Sequence, residues 1–93
     1  MQFVVILRRR TEQFEDHEFV RLLDPEAQRV RELYAEGIVR SIWSRQDVLG
    51  AVILLECPDE AAANAAIASL PLAQRGMLEF TMVPLRGYRG FCP

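Results

Sequence analysis

Two short stretches of the chain have no polar face. Phe3-Val4-Val5-Ile6-Leu7 and Ala51-Val52-Ile53-Leu54-Leu55 are apolar at every position. Successive side chains of a strand point to opposite sides, so a strand wetted on one side alternates apolar with polar residues. An unbroken apolar run is the mark of a strand covered on both faces. Both runs fall far below the ~20 residues that a bilayer-spanning helix needs. Whatever this chain folds into must therefore place two strands in the middle of a sheet and cover that sheet twice.

Between these runs, Leu33-Tyr34-Ala35-Glu36-Gly37 reads as the last turn of a helix with its stop. Gly37 fits the position just past a helix end, where the backbone turns left-handed and glycine alone does so freely. A strand follows over Ile38 to Arg45. Strict alternation would place Val39, Ser41, Trp43 and Arg45 on one face and Ile38, Arg40, Ile42 and Ser44 on the other. Arg40 and Trp43 then cannot line one pocket without a bulge.

The remaining punctuation is clear. After Arg8-Arg9-Arg10 the polar segment Thr11 to Asp16 leads into a helical spacing at Phe19, Leu22 and Leu23, with Phe14 a possible earlier member. Asp24-Pro25-Glu26 carries helix-start chemistry: a capping carboxylate, a proline suited to the first turn, and an acid at the positive end of the dipole. Either two helices meet at Asp24 or one helix kinks at Pro25. Gln46 to Gly50 is turn-like, so Ala51 to Glu56 should return as a hairpin partner. Cys57-Pro58-Asp59-Glu60 ends that strand and opens an alanine-rich helix, Ala61 to Leu70. Pro71 ends this helix, and Gln74-Arg75-Gly76 turns the chain. The last strand, Met77 to Val83, sets Leu78, Phe80 and Met82 against Met77, Glu79, Thr81 and Val83. The tail from Arg86 to Pro93 shows no period and is expected to reach a neighbouring subunit.

The chain has 93 residues, so one domain spans 1–93. Its net charge of −2 excludes the basic surface that nucleic-acid binding needs. The arginine run at 8–10 is followed at once by Glu12, Glu15 and Asp16, and reads as a solvated strand end. Cys57 and Cys92 with the single His17 make neither a disulfide framework nor a zinc site. A cytoplasmic protein, without membrane or nucleic-acid partners, is the expectation.

The order is β-α-β-β-α-β, that of a ferredoxin-like α+β domain with a four-stranded antiparallel sheet and both helices on one face. Helices then cover only half of what the two apolar runs require. The simplest cover for the other face is the same face of a second copy, giving a homodimer or a higher homo-oligomer.

At Glu36-Gly37, Arg40-x-x-Trp43 and Leu70-Pro71-Leu72 the sequence resembles the muconolactone isomerase-like family, of the dimeric ferredoxin-like α/β-barrel superfamily. The likeness extends over nearly the whole chain in element order and spacing. It implies a cofactor-independent proton shift on a small lactone or unsaturated organic acid: a base removes a proton beside the carbonyl and returns it further along. Such chemistry needs a base of tuned pKa and a donor for the enolate oxygen. At two positions the chain departs from the family's pattern. Ile6 stands where the family carries a lysine, and Ser41 where it carries a histidine.

The candidate catalytic residues are Arg40, His17 and Glu79. Arg40 lies mid-strand, where a charge needs a partner or a cavity, and would hold the negative charge. His17 is the one side chain whose ordinary pKa is near neutrality, and Glu79 is an acid within the last strand. Trp43, Ser41 and Tyr34 are the candidate substrate-binding residues. Each also has a blander reading: a structural ion pair for Arg40, a solvated position for His17 and Glu79, and packing for Trp43 and Tyr34. Glu26 and Asp47 read as dipole and turn residues, and Cys57 as a buried thiol. Two further functions are open to such a chain. One is a non-catalytic small-molecule-binding or assembly module; the other is a cofactor-less cyclase or monooxygenase of the same superfamily.

Overall fold

The computed structural model describes residues 1–91. The elements are β1 (Gln2–Arg9), α1 (Asp16–Val20), α2 (Leu23–Ala35), β2 (Val39–Ser44), β3 (Gly50–Glu56), α3 (Glu60–Ala68), α4 (Pro71–Gln74) and β4 (Leu78–Leu85), with a 3-10 turn at Arg89–Phe91. The sheet order is β2-β3-β1-β4 and every pairing is antiparallel. The two apolar runs are thus the two central strands, and the architecture is the expected ferredoxin-like α+β arrangement.

One face of the sheet packs on the helices. Phe3, Val5 and Leu7 of β1 and Ile53 and Leu55 of β3 are buried there with Phe19, Leu33, Ala63, Ile67 and Leu70. The small side chains of Ala63 and Ala66 let α3 lie close to the sheet. The other face carries Val4, Ile6, Val52, Leu54, Trp43, Thr81 and Val83, in register with one another across the four strands. Nothing among the described residues covers it: Ile6 and Val83 are each 39% exposed and Trp43 56%.

Local signals in the sequence explain most element ends. Gly37 has φ +79°, its N–H donates to Tyr34 O at 3.0 Å, and the N–H of Ile38 donates to Leu33 O at 2.9 Å. This pair of bonds is the Schellman stop that the glycine foretells. Asp59 caps α3, its Oδ1 accepting from the Ala62 N–H at 2.8 Å. Three details differ from the sequence reading. There are two separate helices before Gly37, but they break at Arg21–Leu22, one turn earlier than expected; Asp24 lies inside α2 and caps nothing. Pro25 sits in the first turn, where its missing N–H has no helical partner to lose. After Leu70 the chain does not merely turn: Pro71 opens the short helix α4.

The third difference matters for function. Val39 pairs with Leu55 but Ser41 pairs with Leu54, so β2 carries a bulge at Arg40. Two residues there oppose one, and the alternation slips by a step. Val39, Ile42 and Ser44 consequently align with the helix-facing residues Leu55, Ile53 and Ala51, while Ser41 and Trp43 stay on the uncovered face. The tail runs out exposed, with Tyr88 and Phe91 in edge-to-face contact at 5.5 Å. Cys92, and with it the end of the expected subunit-crossing tail, lies outside the described residues.

Gly50 is needed for a different reason from Gly37. A Cβ on Gly50 would strike the Leu7 carbonyl oxygen, whereas one on Gly37 meets nothing within 4 Å and is opposed only by the positive φ. Urea denaturation should accordingly find Gly50→Ala destabilised by about 1–3 kcal/mol through displacement of β1 from β3. Gly37→Ala should cost about 1–2 kcal/mol from backbone conformation alone.

Candidate functional site

The residues singled out from the sequence do not come together in one chain. Arg40, Ser41 and Trp43 are on β2 and Glu79 is on β4, the two opposite edges of the sheet. Three strand spacings, about 14 Å, separate those edges. Arg40 is exposed at its bulge and makes no ion pair among the described residues. Glu79 faces Arg8 across the β1–β4 pair, and its carboxylate meets the Arg8 guanidinium at 3.2 Å. The same guanidinium holds Glu12 through two bonds of 3.0 and 2.9 Å, keeping that carboxyl at about 2. His17 projects from α1 into solvent, with its Nδ1 3.3 Å from Glu15. Tyr34 is 61% exposed on α2. Ile6 and Ser41 both lie on the uncovered sheet face.

A partly open hollow lies on the other side of the sheet. A cavity of about 140 Å³ lies between the sheet and the helices α2 and α4. Leu7, Ala51, Ile53 and Ile42 form its floor; Val30, Leu70 and Leu72 form its roof. It is close in size to an engineered apolar cavity of roughly 150 Å³ that admits benzene. The bulge at Arg40 helps shape it, because the slipped alternation brings Ile42 and Ser44 to this face.

Two ionisable side chains line the cavity: Glu26 and Arg9. Glu26 is half-buried on α2, and its Oε1 accepts from the Leu72 N–H at 2.9 Å in the first turn of α4. Burial pushes this carboxyl above its ordinary value, opposed by the Leu72 hydrogen bond and by the charge of Arg9. Its second oxygen has no hydrogen bond among the described residues. Arg9, also half-buried, continues the inward phase of Phe3, Val5 and Leu7 at the end of β1. Its guanidinium lies over the Phe19 ring at 5.6 Å from the centroid, and Phe14 meets Phe19 edge-on at 6.1 Å. Among the described residues that guanidinium makes no hydrogen bond or ion pair. Its charge lies over an aromatic face, and its N–H groups are open to water or a ligand.

Neighbouring contacts brace this arrangement. Arg29, one turn along α2 from Glu26, donates from Nε to Ser69 Oγ at 2.9 Å, and Ser69 donates in turn to Ala66 O at 2.6 Å. The corner between α3 and α4 is therefore gripped by α2 at two points, Ser69 and Leu72. Cys57 is buried away from this site, and burial pushes its thiol up, as for an inert structural cysteine. Among the described residues no group of three or more His, Cys, Asp or Glu side chains is placed to hold a metal ion, and no helix is long and apolar enough to cross a membrane.

Glu26 and Arg9 were both overlooked as site residues in the sequence reading, yet both left a signal there. Leu22, Glu26, Val30 and Leu33 follow helical spacing, so Glu26 is a carboxylate on an apolar stripe. Arg9 stands in phase with three buried residues. The helix-start and arginine-run readings masked these placements.

Two solved structures share this architecture over nearly their full length. A muconolactone isomerase superposes with a TM-score of 0.78 at 18% identity, covering 95% of this chain and 91% of that one. A 5-chloro-2-hydroxyhydroquinone dehydrochlorinase from Burkholderia phenoliruptrix AC1100, in complex with 2,5-dihydroxybenzoquinone, superposes with a TM-score of 0.75 at 11% identity, covering 97% and 98%. At these identities the likeness is one of fold. No curated protein sequence matches the chain. The model of the muconolactone delta-isomerase family matches residues 1–89, nearly the entire length, and the chain belongs to that family.

Proposed function

We propose that the protein is a cofactor-independent isomerase that moves a proton within a small lactone or related unsaturated acid held in the cavity under α2 and α4. The observation that carries this reading is Glu26: a carboxylate at a largely apolar, partly open cavity, raised in pKa by burial and with one oxygen making no hydrogen bond among the described residues. A general base works best when its pKa approaches the working pH, and burial is the usual means of raising a glutamate towards it. The Leu72 amide fixes the carboxylate without neutralising it. A ring of five or six atoms fits the volume, and the two similar proteins are named for a chlorinated hydroxyhydroquinone and for muconolactone, both small oxygenated rings. On this reading Arg40, Ser41 and Trp43 serve the uncovered sheet face, where a second copy of the chain would bury Val4, Ile6, Val52 and Leu54.

The test is isotope exchange. Incubation with muconolactone and simpler butenolides in deuterated water, followed by NMR, should show uptake beside the carbonyl. Glu26→Gln should slow that uptake by at least about a hundredfold, the usual worth of a general base. Absence of uptake with every lactone would leave the fold in the role of a small-molecule-binding module.

The same variant should reveal the cost of placing an acid there. A carboxyl whose folded pKa is raised binds more protons folded than unfolded, so its contribution to stability falls as pH rises through the window above the ordinary glutamate value. Glutamine retains the acceptor for the Leu72 N–H but cannot ionise. Glu26→Gln should therefore melt higher than the wild type at neutral pH, and the difference should vanish below the ordinary glutamate pKa. A wild type equal to the variant at neutral pH would mean that the carboxylate is solvated rather than desolvated.

For the uncovered face the measurement is sedimentation. The wild type should sediment as a dimer or larger assembly and Val52→Glu as a smaller, folded species.

A further inference from the structure

We propose that Arg9 is a further catalytic residue, the cation that receives the enolate oxygen of the substrate, and that the cavity selects planar ring oxyanions over neutral rings. The proposal rests on the reading of Glu26 as base. Its grounds are geometric. Among the described residues, Arg9 and Glu26 are the ionisable groups that line the cavity, and the Arg9 guanidinium has no acceptor. The guanidinium nitrogens keep contact with water, so a ligand oxyanion entering the cavity would replace solvent there and need not displace a protein acceptor. The Arg9 guanidinium carbon lies 5.6 Å from the Phe19 ring centroid, and no acceptor among the described residues takes its N–H groups, which are open to a ligand oxygen.

The charge balance follows from the pair. Before reaction the cavity holds Glu26 carboxylate, Arg9 guanidinium and a neutral ring. Glu26 takes the proton beside the carbonyl; the C–H electron pair becomes a C=C bond and the carbonyl π pair moves onto oxygen. Glu26 is now neutral and the negative charge lies on the ring oxygen at Arg9. Return of the proton to the remote carbon restores the carboxylate and leaves the double bond shifted. Net charge in the cavity is constant, no oxidant or reductant is consumed, and Arg9 has a fixed counter-charge at both stages. Donors fixed where charge develops are usually the largest single source of rate in such reactions.

Such a site should bind a stable enolate mimic, and should take up a proton in doing so. The groups that face Glu26 are few. β1 contributes Arg9, β2 contributes Ser44, α4 contributes the Leu72 amide and no ionisable side chain, and β3 lines the cavity with Gly50, Ala51 and Ile53. Arg29 on its own helix is engaged by Ser69 and Glu32.

The probes are tetronate, the planar anion of 4-hydroxy-2(5H)-furanone, and γ-butyrolactone, a neutral ring of the same size. Titration calorimetry on the full chain should show tetronate bound at least about tenfold more tightly than γ-butyrolactone, the worth of one charge-assisted hydrogen bond. Arg9→Met should abolish that preference and leave γ-butyrolactone affinity within about twofold. Arg9→Lys, which keeps a cation over Phe19, should recover part of it and guards against a folding defect. Tetronate affinity should rise as pH is lowered towards the Glu26 range in the wild type, and be independent of pH over that range in Glu26→Gln. Equal binding of the two probes by the wild type, or a preference that survives Arg9→Met, would overturn the proposal. Tetronate binding that depends on Arg9, with no isotope exchange on any lactone, would keep the oxyanion site and remove the isomerase reading.

Discussion

The fold depends on an asymmetry between what its central strands offer and what its helices cover. β1 and β3 present apolar side chains to both sides of the sheet, while α2, α3 and α4 occupy one. Among the described residues, the covered side becomes a core with no buried charged or polar residue. The uncovered side keeps a continuous apolar surface that runs from Trp43 at one edge to Val83 at the other. At roughly 25 cal/mol per Å² of apolar area removed from water, such a surface gives a second copy a strong drive to associate. With the ionisable pair on the helix side, the proposed chemistry and the proposed association would use opposite faces of the sheet.

On the helix side the polar groups are gathered at the rim of the core. Arg9 ends the inward phase of β1, and Glu26 begins the inward stripe of α2, so both reach the cavity from element ends where water is near. One carboxylate oxygen is held by the first turn of α4. That bond makes a helix of only four residues part of the site's scaffold. Arg29 and Ser69 repeat the arrangement one turn away, so the roof is set by two side chains of one helix rather than by a loop's own stiffness.

Much of this was legible in the residues. The two apolar runs, the glycine stop at Gly37, the break at Cys57-Pro58-Asp59-Glu60 and the alternation of β4 led to the element order and hence the sheet. The bulge at Arg40 was not legible, because an extra residue in a strand changes no composition; it shows only as a register against Leu54 and Leu55. For the same reason the sequence placed Ile42 and Ser44 on the same face as Arg40 without connecting them to a cavity. Asp24 looked like a cap because its chemistry suits one, but the helix starts earlier, at Leu23, and closes its first bond from the Glu26 N–H to Leu22 O. Of the candidate site residues, those chosen for rarity of type, such as His17, went to solvent. The pair lining the cavity was hidden by ordinary types, and phase with buried neighbours was their only trace.

The hydrogen bond from Leu72 to one oxygen of Glu26 has a stereochemical consequence. A carboxylate with both oxygens free can rock between two positions on a ring; one with a tethered oxygen has a single lone-pair set to offer. Under the proposed reaction, the proton leaves and returns through the same oxygen, hence across the same face of the ring. The shift would be suprafacial, and some of the original hydrogen would be carried to the new carbon before solvent could replace it.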